Sequence, residues 1–223
     1  MSTATLLAYN GKTSVKRKYL RRVRKHRELD QLVQGYGYWK DGRGCAVGCT
    51  IHSGNHSAYE TELGIPRQLA YLEDRLFERL PVELARQWPE RFLSAIKPGA
   101  DLSKVLPKFM VWMLSDAVDG VIRFAKREAT KAAIQEVSAL YLRWAAGDKP
   151  ATSEWESARK IAYDAYDAAS AYAADAADAA AAASYAASTA VYAYSDTAER
   201  QRQIDALTYL ISTTTYKELR GEK

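Results

Sequence analysis

The sequence predicts an all-α fold: an irregular helical bundle with a glycine-rich Cys/His loop near the N-terminus and a long Ala/Tyr-rich C-terminal helix or antiparallel helical hairpin. Three observations carry this. Apolar residues recur at steps of three and four along much of the chain, while no stretch alternates in the manner of a strand. From Ser157 to Tyr194, 19 of 38 residues are alanine and six are tyrosine, with no Gly or Pro. Alanine has the best helix propensity, so that segment predicts helix from composition alone.

The elements follow in order. Ser14 can cap a helix from Val15 to Gln34, with Val15, Tyr19, Val23, His26, Asp30 and Val33 along one side and Gly35 placed to end it. Six glycines between residues 35 and 56 predict loops and tight turns. Pro66 suits a first helical position, and Leu69, Leu72, Leu76 and Leu80 form a stripe that stops at Pro81. Val82 to Ile96 reads as a further helix, interrupted near Pro89 and ended by Lys97-Pro98-Gly99. Leu102 to Leu114 reads as a buried helix. Glu128 to Ala146 follows, closed by Gly147. Ser153 and Glu156 are spaced as a capping box at the start of the alanine-rich segment. One straight helix from Ser157 to Tyr194 would be about 57 Å long, so the segment either projects or folds back near Ser184 or Ser188, the fold-back being favoured.

Length and composition bound the function. The chain has 223 residues, 48% apolar and 26% charged, which suits a protein able to bury a core. The longest apolar run, Phe109 to Leu114, is too short to span a bilayer, so no membrane association is expected. The first thirty residues are basic without an apolar h-region, and two cysteines cannot build a disulfide framework; both point to the reducing cytoplasm. Three histidines leave no room for catalysis built on several of them. The net charge of +5 arises entirely in residues 1–27, which hold nine Lys/Arg and no acid. Three stretches result: a basic N-terminal helix (1–34), a Cys/His loop with a helical core (35–150), and an alanine-rich segment (151–223) packed on the core or projecting from it.

Cys45, Cys49, His52 and His56 form C-x3-C-x2-H-x3-H and gather both cysteines and two of the three histidines into twelve residues. Thiolate and imidazole are the donors zinc prefers, four of them in a tetrahedron. On one straight helix the outer two would stand about 16 Å apart, so a common ion requires the chain to turn, and Gly48 and Gly54 are where it could. Glu60 and Glu62 offer a third ligand or a general base. Three other readings stand beside zinc. Cys45 could be a nucleophile with His52 or His56 as its base. Cys45 and Cys49 could form a redox pair. Or the thiols are simply small buried groups and the histidines loop residues.

The basic helix concentrates Lys12, Lys16, Arg17, Lys18, Arg21, Arg22, Arg24, Lys25 and Arg27 within sixteen residues. Repulsion at this density asks for an anionic neighbour. Lys16, Arg17, Lys18, Arg21, Arg22, Arg24 and Lys25 are the candidates to hold a phosphate backbone or an acidic protein. Asp164, Asp167, Asp175 and Asp178, at i, i+3 steps on the alanine-rich helix, could instead face it from within the chain.

Two stretches are similar to known groups. Residues 131–196, with Trp144-Ala-Ala-Gly147, the Ser153 start and the Ala/Tyr/Asp helix, resemble the Imm-5-like helical domain of bacterial immunity proteins. Gly44-Cys-Ala-Val-Gly-Cys-Thr-Ile-His52 through Tyr59-Glu-Thr-Glu-Leu-Gly-Ile-Pro66 and Leu69 to Glu78 resemble a group of uncharacterised bacterial and phage proteins. The first likeness implies a binding protein that neutralises a partner in bacterial conflict; the second implies no assigned activity. The expectation is a non-enzymatic interaction protein of immunity or counter-defence type, its loop pinned by a structural metal, with a protein as partner. The alternatives are a metal- or thiol-dependent hydrolase using the Cys/His cluster, and a nucleic-acid-binding protein using the basic helix.

Overall fold

A computed structural model describes residues 6–170 and 197–213 and bears out the all-α class. Among these residues the only sheet is a two-stranded hairpin, Trp39–Lys40 (β1) with Arg43–Gly44 (β2), turned by Asp41 and Gly42. Both turn residues have positive φ, the backbone that a tight Asp-Gly hairpin turn requires. No helix among the described residues is long and apolar enough to cross a membrane.

The chain forms two compact units that do not follow the three compositional stretches. In the first, covering the described residues up to Ser103 and 197–213, the helices are Thr13–Glu28 (α1), Ala46–Ile51 (α2), Ala58–Leu63 (α3), Arg67–Arg79 (α4), Val82–Ala95 (α5) and Thr197–Thr213 (α9). The second contains Val105–Ser115 (α6), Glu128–Ala146 (α7) and Thr152–Ser170 (α8).

In the first unit α5 is the common support. It packs against α1, α4 and α9, and α2 is held between α1, α4 and α5. Tyr9, Tyr19, Tyr59, Phe77, Trp88 and Phe92 are fully buried there, each side chain contributing about 1.5–3 kcal/mol or more of transfer free energy. Their polar ends are satisfied: Tyr9 donates to the Leu93 carbonyl at 2.6 Å, and the Trp88 indole donates to the Glu73 carbonyl at 3.0 Å. The turn at Ala8–Gly11 is tied in by reciprocal backbone bonds, Ala8 N–H to Ala100 O and Gly99 N–H to Ala8 O.

Several boundaries differ from the sequence reading. The first helix ends at Glu28, not Gln34, because Asp30 takes φ +52° and the chain then runs extended beside Gly44. Pro66 and Pro81 stand just outside their helices, at the N-cap, and α5 runs through Pro89 without a break. Gly48 lies inside α2 and makes no turn; the turn comes at His52, which ends α2 with φ +57°.

In the second unit α6 and α8 both pack on α7. Phe109, Met110 and Leu114 are buried in α6, as are Ala133, Ile134 and Val137 in α7. Ala158 and Ala162 are fully buried in α8, small side chains that let α7 and α8 approach closely. The box at the start of α8 is closed by Glu154, whose carboxylate accepts the Ala151 N–H at 2.8 Å, and not by Glu156. Whether the alanine-rich segment continues as one helix or turns back falls on residues 171–196, outside the described residues.

Candidate functional site

α2 is six residues long, all of them buried, and the segment from Tyr38 lies directly on it. A Cβ at Gly48 would stand 1.4 Å from the Tyr38 carbonyl oxygen, and one at Gly44 1.9 Å from it. Glycine at these two positions is what permits the crossing. The crossing, with the left-handed turn at His52, then sends the four Cys/His side chains of the sequence motif to two places.

On one side lie Cys45 and His56. Cys45 caps α2, and its sulfur accepts the Gly48 N–H at 3.4 Å. Its Sγ and one oxygen each from Asp74 and Glu78 lie within 4.8 Å of one another, the one such cluster of three or more among the described residues. Asp74 and Glu78 stand one turn apart on α4. His56 is sandwiched by rings, stacked on Tyr71 at 4.1 Å and edge-on to Tyr38 at 4.9 Å. Its Nε2 faces Asp74 Oδ2 at 3.9 Å, beyond hydrogen-bond reach.

On the other side lie Cys49 and His52. The Cys49 thiol donates to the backbone carbonyls of Gln31 and Gly44, both at 3.4 Å. His52 stacks on Trp39 at 4.3 Å and meets His26, Nε2 to Nε2, at 2.8 Å. The four motif side chains therefore do not surround one point. Glu60 and Glu62 join neither group: Glu60 accepts the Arg67 N–H at 3.1 Å, and Glu62 accepts the Tyr19 hydroxyl.

Burial decides the protonation states. Desolvation, together with the Asp74 charge, pushes the Cys45 thiol far above its ordinary range, and desolvation pushes Cys49 up to about 12. Both are neutral thiols at pH 7, which withholds the thiolate that a nucleophile needs. Glu73, fully buried beneath Trp88, has its carboxyl raised well above the usual range by desolvation and accepts the Tyr59 hydroxyl at 2.6 Å. Desolvation, with Arg22 and His26 adding to it, pulls His52 down to about 4.

The basic helix divides its charges. Lys16 reaches the carbonyls of Ser94 and Ile96 at 2.7 Å, the negative end of α5. Arg22 donates to Thr50 O at 2.8 Å, and Arg24 and Arg27 both pair with Glu90. Arg17, Arg21 and Lys25, at intervals of four, are exposed and meet no carboxylate among the described residues. Lys18, beside them, reaches the Tyr19 hydroxyl. Of the acidic residues expected opposite, Asp164 pairs with Lys160 one turn before it, and the side chains of Asp167, Asp175 and Asp178 lie outside the described residues. Lys18, Arg21, Arg22 and Lys25 line a cleft of about 460 Å³ together with His26, Gln31, Trp39 and His52, the last of them exposed.

Sequence reasoning missed Asp74, Glu78 and Trp39. The available signal was the pair of carboxylates at i and i+4 in Tyr71-Leu-Glu-Asp-Arg-Leu-Phe-Glu78, one helical turn apart beside the leucine stripe. No family model, curated protein or solved structure matches the chain.

Proposed function

We propose that the protein is a binding protein for a polyanion, the phosphate backbone of a nucleic acid, held on the exposed face of α1 and at the cleft beside it. The observation that carries this is the row Arg17, Arg21 and Lys25, three exposed cations without a carboxylate partner among the described residues, continuous with Lys18 and Arg22 at the cleft rim. Successive residues four apart lie about 6 Å apart along a helix axis, close to the spacing of phosphates along one strand. A row of cations supplies affinity through counterion release and carries no sequence choice by itself. His52, exposed and stacked on Trp39 in the lining of the cleft, offers an aromatic face next to the charges, suited to a base splayed from its strand.

Fluorescence anisotropy with labelled duplex DNA and single-stranded RNA, repeated across a salt series, tests the reading. The parent is expected to bind at low salt with a steep logarithmic salt slope. Replacing Arg17, Arg21 and Lys25 together by Gln should flatten that slope by about 0.9 for each duplex phosphate no longer neutralised. Absence of binding at low salt, or an unchanged slope in the triple variant, overturns it. Binding to an acidic polypeptide in place of nucleic acid would reassign the face to a protein partner.

A further inference from the structure

We propose that Cys45, His56, Asp74 and Glu78 form a four-donor site for a divalent transition metal, zinc by the chemistry of its donors, which ties the N-terminus of α2 and the turn before α3 to α4. The site uses half of the Cys/His motif and takes its other half from a helix that the motif does not include. It stands on different residues from the α1 face and holds or fails independently of it.

Distance is the first argument. Zinc bonds of about 2.0–2.3 Å place tetrahedral donors roughly 3.3–3.8 Å apart. Cys45 Sγ, an Asp74 oxygen and a Glu78 oxygen already lie within 4.8 Å of one another, and His56 Nε2 is 3.9 Å from Asp74 Oδ2. His56 stands outside that 4.8 Å group, so its side chain has to turn toward the other three donors to complete the set.

The second argument is the imidazole. His56 is 4% exposed, and its Nε2 is buried without a hydrogen-bond partner. Its Nδ1 faces the Gly54 carbonyl at 3.1 Å. A carbonyl only accepts, so Nδ1 carries the hydrogen, and in the neutral ring Nε2 is left as a bare lone pair. That lone pair faces a carboxylate oxygen, an arrangement that repels unless a proton or a metal cation lies between them. A backbone carbonyl fixing the far nitrogen is also how metal-bound histidines are held. Asp74 Oδ1 is likewise buried and without a hydrogen bond, while the carboxylate accepts from the Cys45 thiol, whose proton a metal would replace, and from the Val47 N–H.

The remaining donors are oriented in the same way. The Gly48 N–H points at Cys45 Sγ, where it would stabilise a thiolate, and the Gly35 N–H holds Glu78 Oε2 at 2.7 Å. Binding displaces the thiol proton of Cys45 to solvent. The thiolate and two carboxylates then carry three negative charges, against two from the ion and one from the Arg75 guanidinium beside Asp74 and His56. The mixed sulfur, nitrogen and oxygen set disfavours calcium and magnesium, which take oxygen donors. Four protein donors fill the tetrahedron, so the ion is structural.

The test is elemental analysis of the full-length protein after equilibration with zinc and desalting, with Co²⁺ substitution as a spectroscopic reading of sulfur ligation. The parent is expected to retain about one zinc per chain and to unfold at a higher temperature with zinc than without. Cys45→Ser and His56→Gln should lose both the metal and the thermal shift, while Cys49→Ser and His52→Asn keep them. Should Cys45→Ser fail to fold, Glu78→Gln at the less buried edge, with its changed Co²⁺ spectrum, takes its place. A parent that retains no zinc after equilibration, or equal loss in Cys49→Ser and His52→Asn, overturns the site.

Discussion

The imidazoles of His26 and His52 face each other through their Nε2 atoms at 2.8 Å, and the distance fixes where their protons lie. His26 Nδ1 meets the Gln31 side-chain oxygen at 2.5 Å, so Nδ1 bears a hydrogen and the neutral His26 ring accepts at Nε2. His52 must then donate from its own Nε2. A further proton on His52 goes to its Nδ1 and sets a positive ring beside Arg22, with Glu62 the one opposing charge.

A pH dependence follows. His52 binds its proton less readily in the fold, at about 4, than in the open chain, near 6.5. Above pH 6.5 His52 is neutral in both states and contributes no pH dependence. Between pH 6.5 and 4 the unfolded chain takes up more protons, so stability falls with pH, and below 4 the difference is constant. His52→Asn, which tolerates the same left-handed backbone, should abolish this component. Thermal midpoints of parent and variant measured from pH 7.5 to 4 check it: the gap between the curves must change across the window.

Tyr59→Phe should destabilise the protein by about 1–3 kcal/mol although the ring still fills its place, because the fully buried Glu73 Oε2 then loses the hydrogen bond it accepts from Tyr59. Urea unfolding at neutral pH measures it.

Gly48→Ala is a case where helix propensity gives the wrong sign. In an open helix interior the change is worth about 1 kcal/mol in favour of alanine. Here the added carbon meets the Tyr38 carbonyl oxygen, and the fold is expected to lose about 1–3 kcal/mol or more. A higher melting temperature in the variant would contradict the crossing of the Tyr38 segment over α2.

Cys49 should react with iodoacetamide only as the protein opens, since its thiol is buried, raised to about 12, and donates to two carbonyls. Mass spectrometry of the native protein at pH 7.5 should find it unmodified after a time that labels the urea-unfolded chain completely. Fast native labelling would contradict a Cys49 thiol that is buried and neutral in the fold.

Glu90→Gln releases Arg24 and Arg27 from their shared carboxylate. Exposed pairs of this kind contribute at most about 1 kcal/mol, so stability should change little. Affinity for nucleic acid should rise and its salt slope steepen, because two further cations become available along α1.

Elements with local punctuation are legible in the sequence. Glu128–Ala146 is readable to the residue because Gly147 takes the left-handed backbone that ends it, and Pro81 marks the break between α4 and α5. The early end of α1 is not, since Asp30 adopts positive φ for reasons set by the chain packing beside Gly44. Pro89 reads as an interruption, yet α5 continues through it with Trp88 and Phe92 buried on either side. The Cys/His motif stands out because its residue types are scarce. Their directions depend on a turn at His52 that no glycine announces, and Asp74 and Glu78 are two acids among 27 until α4 is laid against α2.

The brevity of α2 makes it wholly dependent on its neighbours. Six residues are far too few to hold a helix in water, and with every one of them enclosed this turn has no existence apart from α1, α4 and α5. Whatever depends on its two ends, Cys45 and His52, belongs to the finished molecule alone and vanishes at the first loosening of its neighbours.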